Sequence, residues 1–154
     1  MSSSFERPSW DEYFMLQAEL AKLRSNCMTR HVGAVIVRNH RQIATGYNGT
    51  PPGVKNCFDG GCKRCNSDVQ SGELLDTCIC LHAEENALLF VSKNELYDAT
   101  LYVTLIPCIG CCKKILQCNI KKIIFGDYYN KELDQITMKI FLDNNIEISR
   151  YNTT

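Results

Sequence analysis

Two short runs in this sequence pair residue types that could do chemistry together. One is His82-Ala83-Glu84 and the other is Pro107-Cys108-Ile109-Gly110-Cys111. An imidazole nitrogen and two thiolates are donors that zinc prefers, and His82, Cys108 and Cys111 would fill three corners of its tetrahedron. A fourth corner left open for water marks a catalytic site rather than a closed structural one. Two thiolates cancel the charge of the ion. Each run falls where a helix is expected to begin, and the free N–H groups of a helix start favour thiolates. Water on such an ion ionises near pH 7, about nine units below bulk water.

Glu84 supplies the complementary function. It sits two residues from His82, a carboxylate held off the metal, able to take a proton from a water and pass it on. Alone, either run is weak evidence. An H-x-E is frequent by chance, and it could be an ordinary helix start with His82 at the surface while Cys108 and Cys111 served as core thiols. Together and in this order they match the H-x-E…P-C-x-x-C signature of zinc-dependent nucleobase deaminases. In that chemistry Glu84 protonates a ring nitrogen of the base and then the departing ammonia. Glu85 is expected to face elsewhere.

Ten cysteines are present, far more than this site needs. Cys112 and Cys118 read as packing residues of the helix that follows Pro107. Six others are Cys27, Cys57, Cys62, Cys65, Cys78 and Cys80. Cys62-x2-Cys65 and Cys78-x-Cys80 have metal-like spacing. A structural zinc bound by four of the six would hold a loop that has no hydrophobic pattern of its own. Free thiols, or disulfides in an oxidising compartment, are the other readings. Cys80 lies two residues before His82, so this site would brace the catalytic helix.

The elements that must position these residues follow the apolar pattern. Ser9 and Glu12 form a capping box, and Tyr13, Leu16, Leu20 and Leu23 recur at helical spacing as one apolar face, in a helix ended by Cys27. Residues 32–37 and 43–47 read as two strands around a tight turn. From Asn48 to about Cys78–Cys80 the chain is rich in Gly and Pro and reads as one long, cysteine-rich loop. Residues 82–93 suit a helix, 100–105 a strand, 108–118 a helix, 121–125 a strand, 131–142 a helix and 146–149 a last strand. The first pair should be antiparallel and the later strands parallel, giving an α/β protein with a mixed sheet between helices. Residues 1–154 read as a single domain.

Composition excludes other classes. Lys plus Arg is 17 and Asp plus Glu is 17, for a net charge of zero. A nucleic-acid binder that neutralises phosphates needs a basic surface, so none is expected as partner. No apolar run reaches the roughly 20 residues that span a bilayer. MSSSFERPSW lacks the basic and apolar regions of a secretory signal, which points to the cytoplasm, where stable disulfides are rare.

Over nearly its whole length the chain resembles the deoxycytidylate deaminases. The residues that carry the resemblance are Trp10 to Met15, Val32 to Ala34, GYNGTPPG from Gly46 to Gly53, Cys80 to Ala87, and Leu101 to Cys108. The run NCFDGGCKRC looks most like fungal-type members. The resemblance implies a three-layer α-β-α cytidine-deaminase-like fold with a central mixed five-stranded sheet. It implies hydrolytic deamination of dCMP to dUMP and ammonia for thymidylate synthesis, with dCTP activating and dTTP inhibiting. By position, Asn48 would contact the substrate sugar and the Ala83 N–H the cytosine carbonyl. Val32 and Gly33 would lie near the base, and Tyr129 would border the pocket. Tyr47, Asn48, Gly49 and Gly53 would line an effector-nucleotide site, with Mg2+ accompanying the nucleotide. A second zinc built from Cys27, Cys57 and their neighbours, and a homo-oligomer, commonly a homohexamer, are also implied. The 5′-phosphate has four candidate partners, Arg30, His31, Lys55 and Lys131, or the N–H groups of the Gly-rich loop.

Two competing readings stand beside this one. A different zinc deaminase would act on dCTP, a pterin-like base or tRNA adenosine, and the last would need a basic face. A non-catalytic zinc module would bind a partner through the 57–80 loop, and would have no use for Glu84.

Overall fold

A computed structural model describes residues 5–152. Its centre is a five-stranded mixed sheet of order β2-β1-β3-β4-β5. The strands are β1 (Gly33–Arg38), β2 (Arg41–Tyr47), β3 (Thr100–Leu105), β4 (Lys122–Asp127) and β5 (Glu147–Arg150). Helix α1 (Trp10–Lys22) precedes them; α2 (Ala83–Leu89) and α3 (Lys93–Leu96) lie between β2 and β3, α4 (Ile109–Gln117) between β3 and β4, and α5 (Lys131–Asp143) between β4 and β5. The β1–β2 hairpin is antiparallel, and β3–β4 and β4–β5 are parallel, as the order of elements requires. A two-residue turn closes the hairpin, with Asn39 and His40 both at positive φ, which matches the right-handed twist of the strands.

Alternation along the central strands assigns the layers. Ala34 and Ile36, Leu101 and Val103, and Ile123 and Phe125 face the large core with α2, α4 and α5. Val35, Val37, Tyr102 and Ile124 face the other way, against Phe14, Met15 and Ala18 of α1. The two parallel crossovers therefore lie on one face and α1 covers the opposite one, the three-layer α-β-α arrangement expected.

Three expectations need correction. Helix α1 does not bury the Tyr13, Leu16, Leu20 and Leu23 face; these are exposed, and Phe14, Met15, Ala18 and Ala21 turn inward. The reason is proximity: a Cβ at Gly33 would lie 2.0 Å from the Ala18 carbonyl oxygen, so only a face with small residues can sit on β1 there. Secondly, Cys27 does not end the helix, which stops at Lys22. Thirdly, the helix expected over 82–93 breaks after Leu89, because Ser92 starts a new one by accepting a hydrogen bond from the Glu95 N–H.

The stretch between β2 and α2 is a long loop. It contains two single 3-10 turns, Cys57–Asp59 and Leu75–Thr77, and one isolated bridge, Gly49 with Leu81. Among the described residues no helix is long and apolar enough to cross a membrane.

Candidate metal centre and active site

Two helix starts meet at one place. His82 is the N-cap residue of α2 and Cys108 that of α4, and Cys111 lies in the first turn of α4. Both are in extended conformation, so their side chains leave the helix axis at its end. What brings α2 so close to the sheet is Gly46: a Cβ there would lie 2.1 Å from the Ala83 carbonyl oxygen and 2.6 Å from the Ala87 nitrogen.

The donor atoms converge. His82 Nδ1 is 3.4 Å from Cys108 Sγ and 3.3 Å from Cys111 Sγ. Nitrogen and sulfur at bonding distance from one tetrahedral zinc are separated by roughly 3.5 Å, so the three donors fit the ion with little movement. Cys111 is buried and Cys108 exposed, which leaves the trio open on one side. Cys108 is lowered to about 4 by the hydrogen bond from Cys111, with His82 adding to the effect against burial. Cys111 is pushed up correspondingly, since the two sulfurs share a proton. His82 rises to about 9, chiefly through its hydrogen bond with Cys108. A metal ion loading this trio must displace those protons.

Glu84 is 4% exposed and lies beside Cys111. Burial pushes its carboxyl up to about 7, so that it can hold or release a proton near neutrality. Glu85 does more than face elsewhere. Its Oε1 accepts the His82 N–H at 3.0 Å, and its Oε2 pairs with Lys114 Nζ of α4. It thus ties the start of α2 to the last turn of α4, a positioning role beyond the expectation that it faces elsewhere. The H-x-x-E spacing of a capping box was the available signal.

The other expected site residues have definite places. Ala83 is the first residue of α2, so its N–H is one of the donors a helix cannot satisfy itself. Asn48 is buried; its Oδ1 accepts from Val32 N (2.8 Å) and Ser25 Oγ (2.6 Å), and its Nδ2 donates to the Arg30 carbonyl (2.7 Å). It organises residues 25–32, and of its four hydrogen-bonding positions one amide hydrogen remains. The Gly33 N–H donates to Thr104 Oγ1 at 3.1 Å. The Tyr47 carbonyl accepts from Asn86 Nδ2 of α2. Gly49 leaves room for Asn26, and Gly53 has positive φ. Tyr129 lies under the Arg30 guanidinium, 4.2 Å from ring centroid to Cζ, and its hydroxyl reaches Ser71 Oγ at 2.8 Å. Arg30 and His31 also line an open groove with Lys22, Arg150 and the ends of β3 and β4, Leu105 and Asp127. Cys112 is in the core, and Cys118 is half-buried against it.

All six remaining cysteines gather at one point. Cys27, Cys57, Cys62, Cys65 and Cys80 form a buried cluster with Cys78 against it, and the Thr29 hydroxyl lies 3.3 Å from Cys27 Sγ. Two four-sulfur groups can be drawn within it, each with all sulfurs within 4.8 Å: Cys27, Cys57, Cys65 and Cys80, and Cys62, Cys65, Cys78 and Cys80.

Comparison with known proteins agrees with this geometry. A family profile described as the cytidine and deoxycytidylate deaminase zinc-binding region matches residues 8–127. The deoxycytidylate deaminase of Schizosaccharomyces pombe is 50% identical over 146 residues, covering 94% of this chain and 45% of the relative. That of Saccharomyces cerevisiae is 48% identical over 149 residues, covering 96% and 46%. The chain thus spans about half the length of these curated relatives. A crystal structure of dCMP deaminase from the cyanophage S-TIM5, in complex with dCMP and dUMP, superposes with a TM-score of 0.73 at 31% identity, covering 96% of this chain and 100% of that one. The mixed five-stranded sheet is therefore the cytidine-deaminase-like fold. With a profile match that runs from α1 to the end of β4 and takes in both helix starts, the chain belongs to the cytidine and deoxycytidylate deaminase family.

Proposed function

We propose that this protein hydrolyses dCMP to dUMP and ammonia. The observation that carries the reading is the convergence of His82, Cys108 and Cys111, within 4.8 Å of one another, beside the buried Glu84. The related cyanophage structure, whose bound nucleotides differ as substrate and product of that reaction, supports the choice of base.

A zinc ion held by His82, Cys108 and Cys111 would supply a water acidic enough to ionise near neutral pH. Glu84 takes the proton of the attacking water and delivers it to the ring nitrogen next to the reacting carbon. That carbon gains the water oxygen and loses its amino group. Glu84 then passes a second proton to the amine, which leaves as ammonia. Ala83 N–H donates to the cytosine carbonyl and fixes the ring. Val32 and Gly33 flank the base, and the remaining Asn48 amide hydrogen reaches the sugar. Tyr129, held under Arg30, closes one side of the pocket.

Further features complete the proposal. The single domain of residues 1–154 works as a homo-oligomer, a hexamer, in the cytoplasm, supplying dUMP for thymidylate synthesis, with no nucleic acid as partner. The segment Tyr47, Asn48, Gly49 and Gly53 binds effector nucleotides with Mg2+, dCTP raising and dTTP lowering activity. The cysteine cluster holds structural zinc.

An absorbance assay of dCMP beside deoxycytidine, dCTP and cytidine monophosphate tests the reading. Turnover of dCMP above the others is expected. Turnover of dCTP to the same extent makes it a broader nucleotide deaminase, and turnover of none of the four refutes the proposal. In the same assay dCTP with Mg2+ should lower the half-saturating dCMP concentration. A hyperbolic curve indifferent to dCTP and dTTP removes the effector site.

A further inference from the structure

The six cysteines of the 27–80 region leave none spare. A single structural ion needs four thiolates and would leave two of the six without a metal. The two four-sulfur groups overlap in Cys65 and Cys80 and together use all six. Two tetrahedra that share an edge need six corners, with the two shared ones bonded to both metals. Six is the number present, and the shared pair is the pair common to both groups.

We propose that this region binds two zinc ions as one cluster, Cys65 and Cys80 bridging, Cys27 and Cys57 completing one ion and Cys62 and Cys78 the other. The proposal rests on the reading of these cysteines as a structural metal site, and is independent of the dCMP reading.

Distances agree with it. Cys78 Sγ lies 3.7 Å from both Cys62 Sγ and Cys65 Sγ. Sulfurs sharing one tetrahedral zinc with bonds of about 2.3 Å are roughly 3.8 Å apart. An all-thiolate donor set selects a soft or borderline ion, and zinc is the common one that takes four such ligands in a tetrahedron.

The surroundings supply the reason. Val54, Phe58, Leu74, Leu75 and Ile79, apolar residues of the loop, are all exposed. No apolar residue of the loop other than cysteine is fully buried; Val69 and Leu81 are half-buried. Its anchors also matter. Cys80 is two residues from His82, and Cys27 is two residues from Ser25, the partner of Asn48. Cys27 and Cys80 belong to one four-sulfur group, so one ion would join the segment before β1 to the start of α2. The cluster would thereby hold both walls that approach the catalytic trio.

Metal counting on the protein purified without chelator tests this, with the Cys62→Ser and Cys65→Ser variants beside it. Three zincs per chain are expected, one at His82 and two in the cluster. Cys62→Ser removes a terminal ligand and should retain two. Cys65→Ser removes a bridge and should retain one. Should the Cys65→Ser chain fail to fold, cadmium-113 NMR on the substituted wild-type protein decides. Two cluster resonances coupled to each other through the bridging sulfurs are expected. Uncoupled resonances overturn the bridge. Two zincs per chain in the wild type overturn the pair but keep a single structural ion. One zinc per chain overturns the structural metal reading as well. Iron in place of zinc, with absorbance in the visible, overturns the assignment of the metal.

Discussion

The trio of His82, Cys108 and Cys111 and the cysteine loop both gather metal donors, yet they are built in opposite ways. His82, Cys108 and Cys111 sit on the starts of two helices that pack on a sheet whose core is aliphatic and aromatic. Their positions are set by burial of residues such as Ile36, Leu101, Phe125 and Phe141, all fully buried. The loop from 48 to 80 has no such support, and the cysteines buried beneath it cluster with Cys27 from the segment before β1. One site is a product of the fold; the other must supply the order of its own segment. In the proposed reading a metal ion at the first would add reactivity, and at the second it would add structure.

Separate losses would sharpen the contrast. Cys108→Ser should abolish turnover and remove one zinc per chain, leaving the loop resistant to limited proteolysis; simultaneous loss of all metal would break the distinction. Cys65→Ser should do the reverse at the loop. It should empty the cluster and expose residues 57–78 to cleavage while the strands keep their circular-dichroism signal. A loop as resistant as before would show that it needs no metal.

Gly46→Ala is the next largest effect. The added Cβ meets the Ala83 backbone at 2.1 Å, so α2 must move. A destabilisation of about 1–3 kcal/mol is expected from such overpacking. Thermal unfolding measures it, and the activity of the folded fraction should fall with the displacement of His82 and Glu84. Unchanged stability would mean that α2 is not seated as described. Glu85→Gln should be milder. It loses the charge that pairs with Lys114 and weakens the hold on the His82 N–H. Removal of such outer partners typically lowers metal affinity about 10–100-fold, read here by competition of the catalytic zinc with a chelator. Equal weakening of the cluster ions would contradict a local role.

The two regions also differ in how far they were legible in the sequence. The strands, the antiparallel hairpin, the parallel second half and the convergence of His82, Cys108 and Cys111 follow from short-range patterns, and all are present. The inward face of α1 was not legible, because it is selected by Gly33 of β1, which α1 meets only in the folded chain. Nor was the break after Leu89, where a capping Ser92 competes with an unbroken apolar run. That four of the six cysteines would suffice for a site was a matter of spacing. Their arrangement as two overlapping groups depends on Cys27 meeting Cys57, Cys65 and Cys80 through tertiary folding. Sequence distance carries no trace of that.

The central claim is that Glu84 moves protons and does not hold the metal. Glu84→Gln tests it most directly, with dCMP turnover and zinc counted on the same sample. Retention of every zinc with kcat reduced about 10²–10⁴-fold is the expected result. Wild-type turnover by Glu84→Gln, or loss of the catalytic zinc from it, would contradict the account.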